Sequence, residues 1–192
     1  MKIFFLRHTS LNVTPDMFYG QTDLDVSENF ELELKTIKEK IKKQKIDLDK
    51  IKFFSSPLKR CLKLAKSISS KINVDDRLKE LNLGDWEMKS KRSIPKKMVE
   101  KWEADLMSFK IPNGESNIEF LERLENFIKE ILELKRDVFI IAHAGSINGL
   151  ISILIKKPFD KLLKNYWEKI GYGSLSLLEI KDNITKIKFI GK

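Results

Sequence analysis

Cysteine and long apolar runs are scarce in this chain of 192 residues. The one cysteine, Cys61, excludes an internal disulfide framework and suits a reducing compartment, so we expect a cytoplasmic protein in which Cys61 is a small apolar helix residue. No apolar run approaches the roughly 20 residues that a membrane span needs, and Arg7 and His8 interrupt the first run. We therefore expect no signal sequence there and no membrane partner.

Arginine and histidine are also rare, since only six of the 37 basic residues are arginine and the chain has two histidines. The formal net charge of +9 would suit a nucleic-acid-binding protein. However, the lysines are spread along the chain among acidic residues at helical spacing, which indicates solvated helix faces, and no aromatic residues alternate with them to stack bases. We expect no nucleic-acid partner. The few arginines indicate positions that need a planar, permanently charged group.

Short apolar runs alternate with helical patterns along the chain. The runs KIFFL, Ile51–Phe54 and DVFIIA predict buried strands. The tail predicts two more strands, Ser174–Ile180 and Ile184–Ile190, around a turn at Asp182–Asn183. This order predicts an α/β fold, a three-layer sandwich with a mostly parallel central sheet and helices on both faces, in a single domain over residues 1–192.

Capping signals predict where the helices begin. The spacing of apolar residues predicts a helix from Ser27 to about Lys45, with Ser27 as its N-cap. A second helix is predicted with Ser56 as N-cap and Pro57 at its first position, and a third with a capping box of Ser116 and Glu119. The residues expected to face inward on the second and third helices are Leu58, Leu62, Ala65, Ile68, Ile118, Leu121, Leu124, Ile128 and Ile131.

Cationic and imidazole side chains follow three of the predicted strands. Arg7 and His8 end the first strand, Arg60 lies in the first turn of the helix after the second, and His143 ends the third. Open α/β sheets bind ligands outside the carboxyl ends of their strands. These side chains, together with the helix N-termini beside them, therefore predict a pocket for a phosphate dianion.

Other interpretations of the two histidines are weaker. A lone histidine is more often structural than catalytic, but both histidines of this chain fall at strand ends, one of them beside an arginine, and a further arginine follows a third strand end. Two arginines would repel a divalent cation and no acidic or cysteine cluster accompanies them, so we expect neither a metal nor another cofactor. The chain lacks the common phosphate-loop and serine-nucleophile motifs. Neutral imidazole can attack phosphorus, and arginine charges keep it unprotonated, which makes His8 the candidate nucleophile.

Five segments in order, LRHTS, SSPLKR, RLKELNLGDWE, NGES and AHAGS, resemble the histidine phosphatase superfamily, also called phosphoglycerate mutase-like, over roughly residues 2–155. This resemblance implies a small-molecule phosphomonoester substrate and a phosphohistidine intermediate. The roles it implies are phosphate clamping by Arg7, nucleophilic attack by His8, completion of the phosphate pocket by Arg60 and His143, and proton donation to the leaving group by Glu80. On the residues alone, Asp85 and Glu87 compete with Glu80 for the acid role.

Thr9 and Ser10 replace the Gly-Glu pair that usually follows Arg-His in this superfamily. The sequence RHT followed by YGQTDLD, and GDWEM further on, resembles the α-ribazole phosphatase branch, which implies α-ribazole 5′-phosphate as substrate. The substrate contacts expected are Tyr19, Gly20, Gln21, Ala144 and Gly145.

Three alternative functions remain open at this point. A broad sugar or small-metabolite phosphatase of the same superfamily would share every catalytic position. A phosphoglycerate mutase is disfavoured by the short chain and the altered first motif. A basic binding protein with a vestigial site is disfavoured because all five catalytic positions are retained. The sequence does not predict an oligomeric state.

Overall fold

A six-stranded sheet forms the centre of the computed structural model, which describes residues 1–166 and 168–192. Its strands are β1 (Lys2–Arg7), β2 (Lys52–Ser55), β3 (Ile72–Val74), β4 (Val138–Ala142), β5 (Leu175–Lys181) and β6 (Ile184–Phe189). The helices are α1 (Phe30–Lys43), α2 (Lys59–Ile68), α3 (Lys96–Ala104), α4 (Asn117–Glu133), α5 (Ala144–Ile155) and α6 (Phe159–Tyr166). Short 3₁₀ turns occur at Asp76–Leu78, Gly84–Trp86 and Lys91–Ser93. In the part of the chain described, no helix has the length and apolar character needed to cross a membrane.

The strand order is β3-β2-β4-β1-β5-β6. The four strands from β3 to β1 are parallel, whereas β5 and β6 are antiparallel to their neighbours. The predicted α/β fold is therefore confirmed. In the register of the central strands, Arg7 pairs with Ala142 and Ser55 pairs with Ile141, so β1, β4 and β2 end at the same level.

Both faces of the sheet are covered, which explains why the strands are continuously apolar. Ile3 and Phe5 belong to an apolar cluster that includes residues of α4 and α5, whereas Phe4 and Leu6 belong to a second cluster with residues of α1 and α2. Successive side chains of a strand point to opposite faces, so β1 contributes to both clusters. This packing holds the strand that ends at Arg7 and His8.

Two of the predicted helix starts are wrong. Helix α1 begins at Phe30 with Asn29 at its N-cap, and Ser27 lies before it, with its hydroxyl 2.7 Å from that of Ser10. Helix α2 begins at Lys59, because the Ser56 hydroxyl lies 2.8 Å from His143 Nε2. A serine before a helix can cap it through its hydroxyl, but the sequence does not show whether the hydroxyl bonds to a tertiary partner instead.

The third helix start and the terminal turn are confirmed. Ser116 and Glu119 form the predicted capping box, and Asp182 and Asn183 both have positive φ, as a two-residue hairpin turn requires. The expected inward position of Ile118 is wrong, since 42% of this residue is exposed. The buried face of α2 also differs from the prediction and consists of Arg60, Cys61, Leu64 and Ala65, with Leu62 and Ile68 half-buried.

Candidate active site

Because β1, β4 and β2 end at the same level of the sheet, the four cationic and imidazole residues predicted at the strand ends lie close together. The His8 amide donates to the Ala142 carbonyl (3.1 Å), and the Ser56 amide donates to the Ile141 carbonyl (3.0 Å), so the hydrogen bonding between strands continues one residue beyond β1 and β2. The rings of His8 and His143 lie 5.2 Å apart. We call Arg7, His8, Arg60 and His143 the strand-end pocket.

The His8 imidazole is oriented by its own backbone neighbour. Its Nδ1 lies 2.7 Å from the Thr9 carbonyl oxygen, which can only accept, so Nδ1 carries the proton and Nε2 keeps its lone pair. Burial, followed by the charges of Arg7 and Arg60, lowers the pKa of His8 well below the usual value. The side chain is therefore neutral near pH 7, with a free basic nitrogen beside two cations.

Arg60 is fully buried and holds His143 in place. Its Nε donates to His143 Nδ1 (3.2 Å), and its two terminal nitrogens donate to the carbonyls of Thr22 (2.8 Å) and Gly20 (2.6 Å). A guanidinium has five N–H groups, so two of them are not used in these bonds. Burial and the Arg60 charge lower the pKa of His143, which is then a neutral ring whose Nε2–H donates to Ser56.

Arg7 is held at the other side of the pocket. Its NH1 group donates to the Ile170 carbonyl (2.8 Å), and the Tyr172 ring centroid lies 4.1 Å from its Cζ. Its Nε is buried and has no hydrogen-bond partner among the described residues. Because a buried donor without a partner costs free energy, this N–H is well suited to binding an anion.

The Glu80 carboxylate contacts the first turn of α5, which follows His143. Its carboxylate accepts from the amides of Gly145 (2.8 Å) and Leu81 (3.0 Å). A Cβ atom at position 145 would lie 2.2 Å from Glu80 Oε1, so a larger residue would displace the carboxylate. The Gly145 amide, predicted to contact substrate, is thus bonded to Glu80, and the buried Ala144 is the first residue of α5.

Arg123, which the sequence analysis missed, supports the segment that carries Glu80. Its guanidinium donates to the carbonyls of Arg77 (2.7 Å), Lys79 (2.8 Å) and Glu80 (2.8 Å), and it pairs with Glu115 (2.7 Å). The scarcity of arginine was the available signal, because the same argument that selected Arg7 and Arg60 applies to Arg123.

Glu87 supports the loop that contacts Arg60. Its carboxylate accepts from the amides of Gly20 (2.9 Å), Gln21 (2.7 Å), Thr22 (3.2 Å) and Leu83 (3.1 Å), and from the Thr22 hydroxyl (2.6 Å). Burial favours a raised pKa for Glu87, but these hydrogen bonds outweigh burial and lower it.

The two other carboxylates considered for the acid role thus have different surroundings. Glu87 is an ionised anchor for the loop, and Asp85 accepts from the exposed amide side chain of Asn113 (3.0 Å). Of these three carboxylates, Glu80 is the one that contacts the first turn of α5, two residues beyond His143.

The predicted contacts of the first loop lie beside the strand-end pocket. A Cβ atom at Gly20 would lie 1.9 Å from the Leu81 carbonyl oxygen, so this position requires glycine. Gln21 donates from Nε2 to the Glu80 carbonyl (3.0 Å), and the Tyr19 ring lies 5.7 Å from the Arg60 Cζ. The loop therefore connects Arg60 with the segment that carries Glu80.

The two unusual residues after His8 have different partners. The Ser10 amide and hydroxyl both donate to the Glu33 carboxylate of α1. A carboxylate from α1 thus lies against the position where the superfamily usually has glutamate. Thr9 is fully buried, and its hydroxyl has no partner among the described residues.

A neutral imidazole between two arginines, at the carboxyl edge of an α/β sheet and beside a carboxylate, has the chemistry of a phosphoryl-transfer enzyme. A family model described as the histidine phosphatase superfamily (branch 1) matches residues 3–192. The chain belongs to this superfamily and is a phosphatase.

The relatives include proteins named for phosphoserine and proteins named for alpha-ribazole. The chain is 21% identical over 197 residues to phosphoserine phosphatase 1 of Hydrogenobacter thermophilus, covering 97% of this chain and 92% of the relative. It is 26% identical over 125 residues to the adenosylcobalamin/alpha-ribazole phosphatase of Escherichia coli, covering 62% and 60%. The crystal structure of the alpha-ribazole phosphatase from Shigella flexneri superposes with a TM-score of 0.88 at 20% identity, covering 100% of this chain and 96% of that one, which shows a shared fold.

Proposed function

We propose that the protein hydrolyses phosphomonoesters through a phosphohistidine at His8. The observation that carries this proposal is the hydrogen bond from His8 Nδ1 to the Thr9 carbonyl, which leaves the Nε2 lone pair free beside Arg7 and Arg60. Neutral imidazole is a nucleophile toward phosphorus, and the two guanidinium groups neutralise charge on the phosphoryl oxygens.

The reaction proceeds in two steps. In the first, His8 Nε2 forms a bond to phosphorus, the ester P–O bond breaks, and protonated Glu80 transfers its proton to the departing alkoxide. In the second, the Glu80 carboxylate removes a proton from a water molecule, whose oxygen bonds to phosphorus as the P–N bond breaks. Inorganic phosphate leaves, and His8 and Glu80 return to their initial states.

The leading substrate is α-ribazole 5′-phosphate. Support comes from the RHT motif, the YGQTDLD loop that lies against Arg60, and relatives named for this activity.

Phosphoserine is the second candidate substrate. The relative named phosphoserine phosphatase 1 aligns over 97% of this chain, against 62% for the Escherichia coli relative named for α-ribazole. A panel of α-ribazole 5′-phosphate, phosphoserine, glycerol phosphate and a hexose phosphate, compared by kcat/KM for phosphate release, tests both candidates.

We expect α-ribazole 5′-phosphate to exceed the other substrates by at least about tenfold. A preference for phosphoserine would replace the leading substrate, and similar values for all four would favour the broad phosphatase. With 3-phosphoglycerate as substrate, transfer of the phosphoryl group to the 2-hydroxyl, with little release to water, would favour the mutase.

A further inference from the structure

Two tyrosines from distant segments meet beside the strand-end pocket. The hydroxyls of Tyr19 and Tyr172 lie 2.5 Å apart, although 153 positions separate these residues in the chain. The Tyr172 ring is 4.1 Å from the Arg7 Cζ, and the Tyr19 ring is 5.7 Å from the Arg60 Cζ. Each ring thus contacts one of the two arginines of the pocket.

Tyr172 is held firmly at this position. The Ile170 carbonyl accepts from Arg7, the Gly173 amide donates to the His8 carbonyl (3.1 Å), and Lys40 donates to the Gly173 carbonyl (2.9 Å). Gly173 has a φ of 61°, a conformation that favours glycine. The segment therefore bonds to the main chain of His8 and to the side chain of Arg7.

Tyr172 is partly exposed, although its ring packs on Arg7. Its ring centroid is 5.5 Å from that of His8, and 39% of the residue is exposed. A leaving group must extend from the phosphoryl site toward solvent. The partly exposed Tyr172 ring, packed on the proposed phosphate ligand Arg7, offers an aromatic surface at the edge of that site.

We propose that Tyr172 determines specificity by stacking on a planar ring of the leaving group, so that the site favours phosphomonoesters of alcohols that carry an aromatic ring. Aromatic rings attract each other in offset or edge-to-face geometry beyond their area burial, whereas a small polar group such as serine gains nothing from such a surface. This inference rests on the proposed hydrolysis at His8, and it favours α-ribazole, whose base is a planar benzimidazole, over phosphoserine.

The test compares benzyl phosphate with cyclohexylmethyl phosphate, which have similar size and alkyl leaving groups but differ in aromaticity. We expect Tyr172→Leu to lower kcat/KM for benzyl phosphate about three- to tenfold more than for cyclohexylmethyl phosphate. Tyr172→Phe keeps the ring and should keep the wild-type ratio. Equilibrium binding of the two corresponding phosphonates, which cannot be hydrolysed, should show the same preference and the same dependence on the ring.

An equal loss on both esters in Tyr172→Leu, with weaker inhibition by inorganic phosphate, would mean that Tyr172 only supports Arg7 and would overturn the inference. Wild-type activity of Tyr172→Leu on both esters would overturn it as well. Failure of the proposed function has a different result, because wild-type protein would then release phosphate from neither ester, and phosphonate binding would still test the stacking. Wild-type preference for phosphoserine over α-ribazole 5′-phosphate would refute the leading substrate, and it would also overturn the inference, because serine carries no aromatic ring.

Discussion

The strand-end pocket and the loops around it are built in different ways. The pocket side chains follow adjacent parallel strands whose register levels their ends, and Arg60 and both histidines are almost completely buried. The surrounding segments, residues 19–22, 80–87 and 170–173, which we call the loop wall, lack regular strands and long helices. Hydrogen bonds to a few charged side chains hold them instead.

This difference separates the tasks of the two regions. The strand-end pocket contains the groups proposed to bind and attack the phosphoryl group, which every substrate shares. The loop wall contains Glu80 and Tyr172, which are proposed to act on the leaving group, where substrates differ. Substitutions in the pocket should therefore affect all substrates, whereas substitutions in the loop wall should depend on the leaving group unless they act through Arg60.

His8→Ala should have the largest effect, because it removes the proposed nucleophile. We expect kcat to fall by at least about 10³-fold on every substrate. Thermal unfolding should show that the variant is folded, and binding of inorganic phosphate should persist, because Arg7 and Arg60 remain. Full activity in this variant would refute the nucleophile assignment.

Glu80→Gln should slow turnover by about 10²-fold or more on alkyl phosphates, and much less on p-nitrophenyl phosphate, whose leaving group needs little protonation. Asp85→Asn is the matched control, since the Asp85 carboxylate bonds to Asn113 and not to α5. Equal losses on alkyl and aryl substrates would rule out Glu80 as the acid.

Glu87→Gln should lower kcat/KM about tenfold, by the same factor on alkyl and aryl phosphates. A glutamine amide nitrogen cannot accept from the backbone amides that Glu87 Oε2 now binds, so the loop that holds Arg60 should shift. Glu103→Gln, at an exposed ion pair with Lys91, is the control. A loss that depends on the leaving group would contradict an effect through Arg60.

The smallest effect expected is on stability at mildly acidic pH. Because the pKa values of His8 and His143 are lowered in the folded state, the unfolded chain binds more protons below pH 6.5. The free energy of unfolding should therefore decrease as the pH is lowered from about 6.5 toward the pKa values of the two histidines in the folded state. The decrease should reach up to about 1.4 kcal/mol per pH unit for each histidine. Denaturant unfolding at several pH values measures this slope, and His8→Gln should halve it.

Proton NMR can check the premise directly, because the chain has only two histidines. Both ring signals should keep their neutral-form shifts down to pH values well below 6.5. A midpoint near 6.5 for either ring would contradict the buried, cation-flanked environment.

Much of the fold and of the strand-end pocket could be predicted from local patterns. Apolar runs that end in Arg7, His8 or His143 are visible without tertiary information, and parallel strands necessarily bring their carboxyl ends to one edge. The helix starts at Ser27 and Ser56 were predicted wrongly for the converse reason. Their hydroxyls bind Ser10 and His143, which are far away in sequence.

The sequence also did not predict the partners of Arg123 and Glu87, the two side chains that support the loops around the pocket. The scarcity of arginine marks Arg123 as unusual but not what it binds, and Glu87 looks like one more of the 28 acidic side chains. Their supporting roles come from hydrogen bonds to main-chain groups of loops that are remote in sequence.

By itself, the sequence determined the α/β class and the residues at the strand ends, because hydrophobic periodicity and strand direction are local properties. Only the tertiary structure decided which carboxylate contacts α5, which charged residues hold the loop wall, and that Tyr172 lies on Arg7. Those contacts join segments up to 165 positions apart, as between Arg7 and Tyr172, and they depend on the register of the sheet and on the paths of loops that have no periodicity of their own.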